Sequence, residues 1–490
     1  MSRTVSRRRL LFGAAGAVGV AGFASAVGAG LLNRQPSLVK PTADVVARTE
    51  ATRRRTGTTV TAKLTARPSI LDLGGPTVPT WAYGESLPGP LLRARAGDLL
   101  HIEVVNQLPV GTSVHWHGLA VRNDMDGVSG ITQPVIEAGG RFTYEFVASD
   151  PGTYWYHPHV GVQVDRGLYG LLILDDPADA GRYDVEWTVV FDDWVDGTGG
   201  TPDDVLRSLA GMAGMHHGGG RERFTSSLLG GAGSVAYPHY LANGRVPTAP
   251  ATLSGKPRQR ARLRLVNAGA DTAFRVALGG HRLTVTHTDG FPVMPVTVDA
   301  LLLGMGERLD VRVDLADGVF PLVALAEGKS GNALALVRTG AGTTPDATAR
   351  PDELDRVIGT AAELRAAPRV RLPHRTIDRT HDLILGGGMM PYRWTINDAT
   401  FDESEPLLVE HGERVRLRFV NDTAMFHPMH LHGHTFALAG GGPRKDTVIV
   451  RPQQMVLADF DATNPGRWMI HCHNIYHAEA GMMIGLGYLA

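Results

Sequence analysis

From about residue 60 to the C-terminus the apolar positions come in short alternating or β-branched runs, broken repeatedly by Gly, Pro, Asn or Asp. Period-two alternation puts every second side chain on one face of an extended strand, and no stretch sustains the 3.6-residue repeat of a long amphipathic helix. Short strands at this spacing predict a mostly β protein made of sandwiches or barrels. One run differs. Leu10 to Leu32, mostly Ala, Gly and Val, directly follows Ser6-Arg7-Arg8-Arg9. It reads as a twin-arginine export signal over residues 1–33, with Ala24-Ser25-Ala26 or Val27-Gly28-Ala29 as the cleavage site. About 23 apolar residues could also span a bilayer as an uncleaved anchor, but so much Gly and Ala makes the segment only weakly hydrophobic. The polar stretch 34–59, which contains Arg53-Arg54-Arg55, reads as a linker.

The pattern repeats internally. Leu91-Leu92-Arg93-Ala94-Arg95-Ala96-Gly97-Asp98, leading to Ile102-Glu103-Val104-Val105-Asn106, has a late counterpart in Leu407-Leu408-Val409-Glu410-His411-Gly412-Glu413, leading to Leu417-Arg418-Phe419-Val420-Asn421. Both copies run into histidine patches. A weaker middle copy, Arg262-Leu263-Arg264-Leu265-Val266-Asn267, is followed by Phe274-Arg275-Val276 where the others carry histidines. Three related β-domains are expected, over 60–178, 179–345 and 373–490, with a linker at 346–372 and no metal ligands in the middle one.

Composition narrows the chemistry. Lysine and arginine total 48 against 49 acids, so no basic excess draws the whole chain onto nucleic acid. The single cysteine, Cys472, excludes an intramolecular disulfide framework and any cysteine-rich zinc or iron–sulfur site. Of 20 histidines, ten fall in four short patches: His115/His117, His157/His159, His427/His430/His432 and His471/His473/His477. In a strand, His-x-His sends both imidazoles the same way, roughly 6–7 Å apart, so that they can serve neighbouring metal ions. The spacing occurs four times: His115-Trp116-His117, His157-Pro158-His159, His430-Leu431-His432 and His471-Cys472-His473. Cys472 must then face away from its neighbours, toward a different metal. His477 lies five residues beyond Cys472, Met482 ten beyond it, and His427 in the preceding patch. Two imidazoles, a thiolate and a weak axial thioether suit a mononuclear blue-copper site.

These four motifs resemble those of the multicopper oxidases, over the first and third domains fully and the second loosely. The resemblance implies three cupredoxin-like Greek-key β-sandwich or barrel domains and four copper ions. It assigns His427, Cys472 and His477, with Met482 axial, to a type 1 copper. His115 and His430 would hold a type 2 copper, and His117, His157, His159, His432, His471 and His473 a type 3 pair, the cluster lying between the first and last domains. Electrons would pass from a donor through Cys472 to His471 and His473, and dioxygen would be reduced to water. Asp126, nine residues beyond His117, matches an acid that bacterial members place near the cluster and is the candidate for proton transfer. Ala478, directly after His477, departs from the many relatives that carry a second acid there, which puts that relay in doubt.

The donor is read from peripheral residues. Gly211-Met212-Ala213-Gly214-Met215-His216-His217-Gly218 and the Met389-Met390 pair offer soft sulfur that favours Cu(I). The ending Tyr476-His477-Ala478-Glu479-Ala480-Gly481-Met482-Met483 is similar to that of exported bacterial copper-tolerance oxidases. The expectation is an exported cuprous or other metal-ion oxidase with phenolic side activity, periplasmic or extracellular at the cell envelope. A laccase acting on phenols and aromatic amines is the alternative, with Met212, Met215 and Met389 as candidate donor contacts in the first case only. A copper carrier that never reduces oxygen would need only the type 1 set, and the eight cluster histidines disfavour it. They also disfavour a copper nitrite reductase.

Overall fold

The alternating runs form strands throughout the computed structural model, which describes residues 37–179, 181–211 and 224–490. The export signal expected over 1–33, and Met212 and Met215, lie outside the described residues. Among the described residues the strands make three pairs of sheets in chain order and one small two-stranded ribbon, Thr225–Ser226 with Gly230–Gly231, and the repeat found in the sequence is visible in each pair. In the first unit Thr59–Asp72 pairs in parallel with Leu99–Asn106, in the second Val185–Trp194 with Arg260–Asn267, and in the third Arg379–Met389 with Arg414–Asn421. The second strand of each pair then joins an antiparallel neighbour: Arg141–Val147, Arg308–Asp314 or Met455–Asp461. A parallel pair cannot be closed by a hairpin, so each unit is wound by crossovers between its two sheets. Among the described residues no helix is long and apolar enough to cross a membrane.

The asparagine that ends each sequence copy explains why the copies look alike. Asn106 donates Nδ2 to the carbonyls of Val110 and Ile136 and accepts from the Leu108 amide. Asn267 donates to Thr272 and Leu303 and accepts from Gly269, and Asn421 donates to Met425 and Val450 and accepts from Thr423. All three are fully buried, and each locks the exit of its strand to a second loop. Replacing Asn267 with Leu strands two carbonyls and an amide away from water, which costs roughly 2–4 kcal/mol. Calorimetry of the copper-free protein is expected to show a lowered unfolding transition; an unmoved one would show that the latch contributes nothing.

The described residues of both stretches read as linkers are docked parts of the fold, a correction to the sequence reading. Within 34–59, Asp44–Ala51 forms a helix that buries Val46 and Glu50. The Val39 amide bonds to the Tyr488 carbonyl at 2.9 Å, and the Ala490 amide to that of Ser37 at 2.8 Å. Glu50 accepts from the Val147 amide, while Arg53 reaches Ser149 in the first unit and Asn464 in the third. Backbone pairing, which leaves no hydrophobic periodicity, is what ties this polar arm down. Within 346–372, Ile358–Gly359 pairs with Ala300–Leu303 of the middle unit, and Leu354, Leu364 and Ala366 are buried.

Candidate metal centre

Two facing strands of the third unit create two environments back to back. His427–Leu431 runs antiparallel to Arg467–Cys472, with His430 opposite His471 and Met429 opposite Cys472. Cross-strand partners share a face, and successive residues alternate faces. Hence His430 and His471 project one way, while His427, Met429 and Cys472 project the other.

On the second face Cys472 Sγ lies 3.6 Å from His427 Nδ1 and 3.8 Å from His477 Nδ1, and these two nitrogens are 3.2 Å apart. Asn474 caps the short helix Ile475–Glu479 by accepting from the amides of Tyr476 and His477, and so aims His477 inward. Met482, fully buried, is held by its own backbone: its carbonyl accepts from the Cys472 amide and its amide donates to the His477 carbonyl. The Trp394 ring lies 4.1 Å from that of His477 and 5.2 Å from that of His427. Burial in these surroundings pushes the Cys472 thiol well above its ordinary range and holds the His477 imidazole down at about 3. A neutral imidazole keeps its lone pair free for a metal, and a bound cation would take the place of the thiol proton.

On the first face the first and third units meet. In the first unit His115–His117 pairs with Gly152–His157, placing His115 opposite His157, while Trp116 points the other way against Tyr144 and Phe146. Ligand atoms of His115, His117 and His157 lie within 4.8 Å of one another, as do those of His115, His430 and His432, and of His159, His432 and His471. The His473 ring completes the ring of eight, 4.9 Å from His117 and 5.4 Å from His157.

The hydrogen bonds show what this assembly is prepared to hold. His157 Nδ1 bonds to the Pro158 carbonyl, His471 Nδ1 to that of Cys472, His430 Nδ1 to that of Asp446 and His115 Nδ1 to that of Asp126. The opposite nitrogens of His115, His157 and His430, together with Nδ1 of His117, Nε2 of His159 and both nitrogens of His473, are buried without partners. One nitrogen anchored by a carbonyl and the other left over is how metal-binding imidazoles are oriented. Burial lowers the rings of His117, His157, His159, His430, His432, His471 and His473 below the ordinary histidine range, which favours their neutral form. Imidazoles with one thiolate form a donor set suited to copper in both of its oxidation states.

The remaining sequence candidates fall as follows. Asp126 is fully buried, its Oδ2 3.0 Å from His432 Nδ1 and its Oδ1 3.3 Å from His115 Nδ1, so it bridges the two ligand-bearing units. Ala478 packs among Val128, Met469 and Met483, an apolar setting with no acid in its place. Met389 lies outside the histidine groups; its sulfur accepts from Ser234 Oγ at 3.3 Å, and that hydroxyl lies 4.0 Å from the sulfur of Met425. Sequence reasoning missed Met425, although it stands two residues before His427. It also missed Trp394 and Asp446, whose only trace is the charged Arg444-Lys445-Asp446 ahead of an apolar run.

Comparison with known proteins agrees with this geometry. Three family models described as multicopper oxidase match residues 66–179, 186–342 and 377–487. The multicopper oxidase MmcO of Mycobacterium tuberculosis is 52% identical over 455 residues, covering 90% of this chain and 89% of that protein. A copper resistance protein A homolog of Pseudomonas syringae pv. tomato is 28% identical, covering 81% of this chain and 87% of its own length. The crystal structure of the laccase from Botrytis aclada superposes with a TM-score of 0.71 at 25% identity, covering 91% of this chain and 90% of that one. Each of the three β-units that meet around the histidines is thus matched to one family, and the chain belongs to the multicopper oxidases, oxidoreductases that use dioxygen as electron acceptor.

Proposed function

We propose that the chain is an exported cuprous oxidase of the cell envelope with phenolic side activity, serving copper tolerance. It would hold four copper ions: type 1 on His427, Cys472, His477 and Met482, type 2 on His115 and His430, and a type 3 pair on His117, His157, His159, His432, His471 and His473. These ions supply one-electron redox capacity for reducing dioxygen to water. The chain's own part is to keep the two environments apart yet covalently continuous, since Cys472 ends the strand that carries His471 and is followed directly by His473. Asp126, which already holds His432 and His115, is placed to carry protons on its carboxylate.

The observation that carries the donor reading is the thioether pair Met389 and Met425 around Ser234, beside the strand of Trp394. Met425 is buried, while Met390, next to Met389, is 76% exposed. Two soft sulfurs beside the type 1 residues favour Cu(I) over a hard cation or a phenol. The described stretches on either side of the Met- and His-rich segment touch the third unit. The helix Pro202–Gly211 packs on the strand Tyr392–Ile396, and the Gly231 amide bonds to the Ala424 carbonyl. The name of the Pseudomonas relative, a copper resistance protein A homolog, fits this reading.

Oxygen uptake by the copper-loaded protein, with Cu(I) and with a phenol, tests it. Met389→Leu with Met425→Leu, and separately deletion of 211–218, are expected to lower kcat/KM for Cu(I) at least tenfold, about 1.4 kcal/mol of transition-state stabilisation, while leaving the phenol nearly unchanged. Oxidation of phenols without Cu(I) would make the protein a laccase, and no uptake with either donor would make it a carrier.

A further inference from the structure

The middle unit holds none of the candidate ligands, yet it delivers side chains to the point where all three units meet: Asp289, which accepts from the amides of Asp446 and Thr447, and Arg308. Arg308 is fully buried. Its Nε donates to the Thr153 carbonyl of the first unit at 3.1 Å, and Nη1 to the Gly306 carbonyl of its own unit at 3.1 Å. Its two terminal nitrogens then grip Asp446 of the third unit as a fork, at 2.7 and 2.6 Å. Asp446 is fully buried as well, and its Oδ1 lies 3.0 Å from His117 Nε2. Its main-chain carbonyl accepts from His430 Nδ1 at 2.9 Å, and Thr447 Oγ1 lies 3.1 Å from both of these ring nitrogens. The rings of His117 and His430 stack at 3.9 Å. Gly118, next to His117, is in the left-handed region at φ 86°, and a β-carbon there would overlap the guanidinium.

This arrangement leaves His117 with a free Nδ1 and His430 with a free Nε2, both buried. A fully buried ion pair contributes little net stability against the desolvation of its two charges, so folding alone does not account for it. A planar fork does fix its carboxylate in orientation, which a point cation cannot. We propose that Arg308 is a positioning residue for the copper cluster, holding Asp446 so that His117 and His430 keep the ring orientation and tautomer that present Nδ1 and Nε2. The inference rests on the four-copper reading above. It makes the middle unit, which supplies none of the eight cluster histidines, part of the metal site.

The test uses full-length copper-loaded Arg308→Met and Arg308→Lys, read by copper per chain, the blue type 1 absorption, the type 2 paramagnetic resonance spectrum and oxygen uptake. Expected for Arg308→Met is an intact blue band with an altered or missing type 2 signal and a fall of about 10- to 100-fold in cluster copper affinity and turnover. Arg308→Lys keeps the charge without the fork and is expected to show the same altered signal with smaller copper loss. If the methionine variant does not fold, the lysine variant decides. A wild-type spectrum and stoichiometry in Arg308→Lys overturns the proposal. So does parallel loss of the blue band and the cluster signal, which would mark a general packing defect. Absence of a type 2 signal from the unaltered protein is a different failure, that of the four-copper reading, and would take this inference with it.

Discussion

Cys472→Ser is expected to bleach the protein and bring oxygen uptake to background while leaving the cluster copper in place. Serine is nearly isosteric, and residue 472 is fully buried, so the strand Arg467–Cys472 keeps its pairing with His427–Leu431. What changes is the donor: a hard hydroxyl replaces a soft, polarizable sulfur between the Nδ1 atoms of His427 and His477. His471 and His473 stand on the opposite face, so their surroundings are untouched. The visible spectrum, copper per chain and an oxygen electrode read the three consequences separately. A serine variant that stays blue and turns over at the original rate would remove Cys472 from the site altogether.

That two-faced strand is the part of the molecule most legible in the sequence. His-x-His repeated four times, with Cys472 inside the last copy, is a local pattern, and strand alternation converts it directly into two opposed sites. The repeated strand ending in Asn106, Asn267 or Asn421 was legible for the same reason: each asparagine closes a loop near its own strand. Arg308 and Asp446 were not, because they are 138 residues apart and each taken alone is an ordinary charged residue of a β protein. The arm before residue 60 was misread for a related reason. Its attachment consists of main-chain bonds to residues 488 and 490 and a few side chains such as Glu50, none of which sets up a period in the sequence. Asp126 lies between these cases. Its spacing from His117 marked it, but only the folded chain brings it onto His432, 306 residues away.

Asp126→Asn separates the two things this carboxylate can do. Asparagine keeps an oxygen to accept from His432 Nδ1, and the main-chain carbonyl that accepts from His115 Nδ1 is untouched by the change. The imidazoles therefore stay where they are, and only the capacity to take up and release a proton is lost. If that capacity is used in turnover, the rate falls by about 10²-fold or more, with the blue band, copper content and rate of type 1 reduction by the donor unchanged. Asp126→Ala goes further: it leaves His432 Nδ1 buried without its acceptor and is expected to lose cluster copper as well as rate. Steady-state oxygen uptake, anaerobic reduction followed at the blue band, and copper analysis of both variants give the comparison. An asparagine variant within threefold of the original rate would show that Asp126 anchors His432 and His115 and moves no proton, and the route for protons would then have to be sought on another side of the cluster.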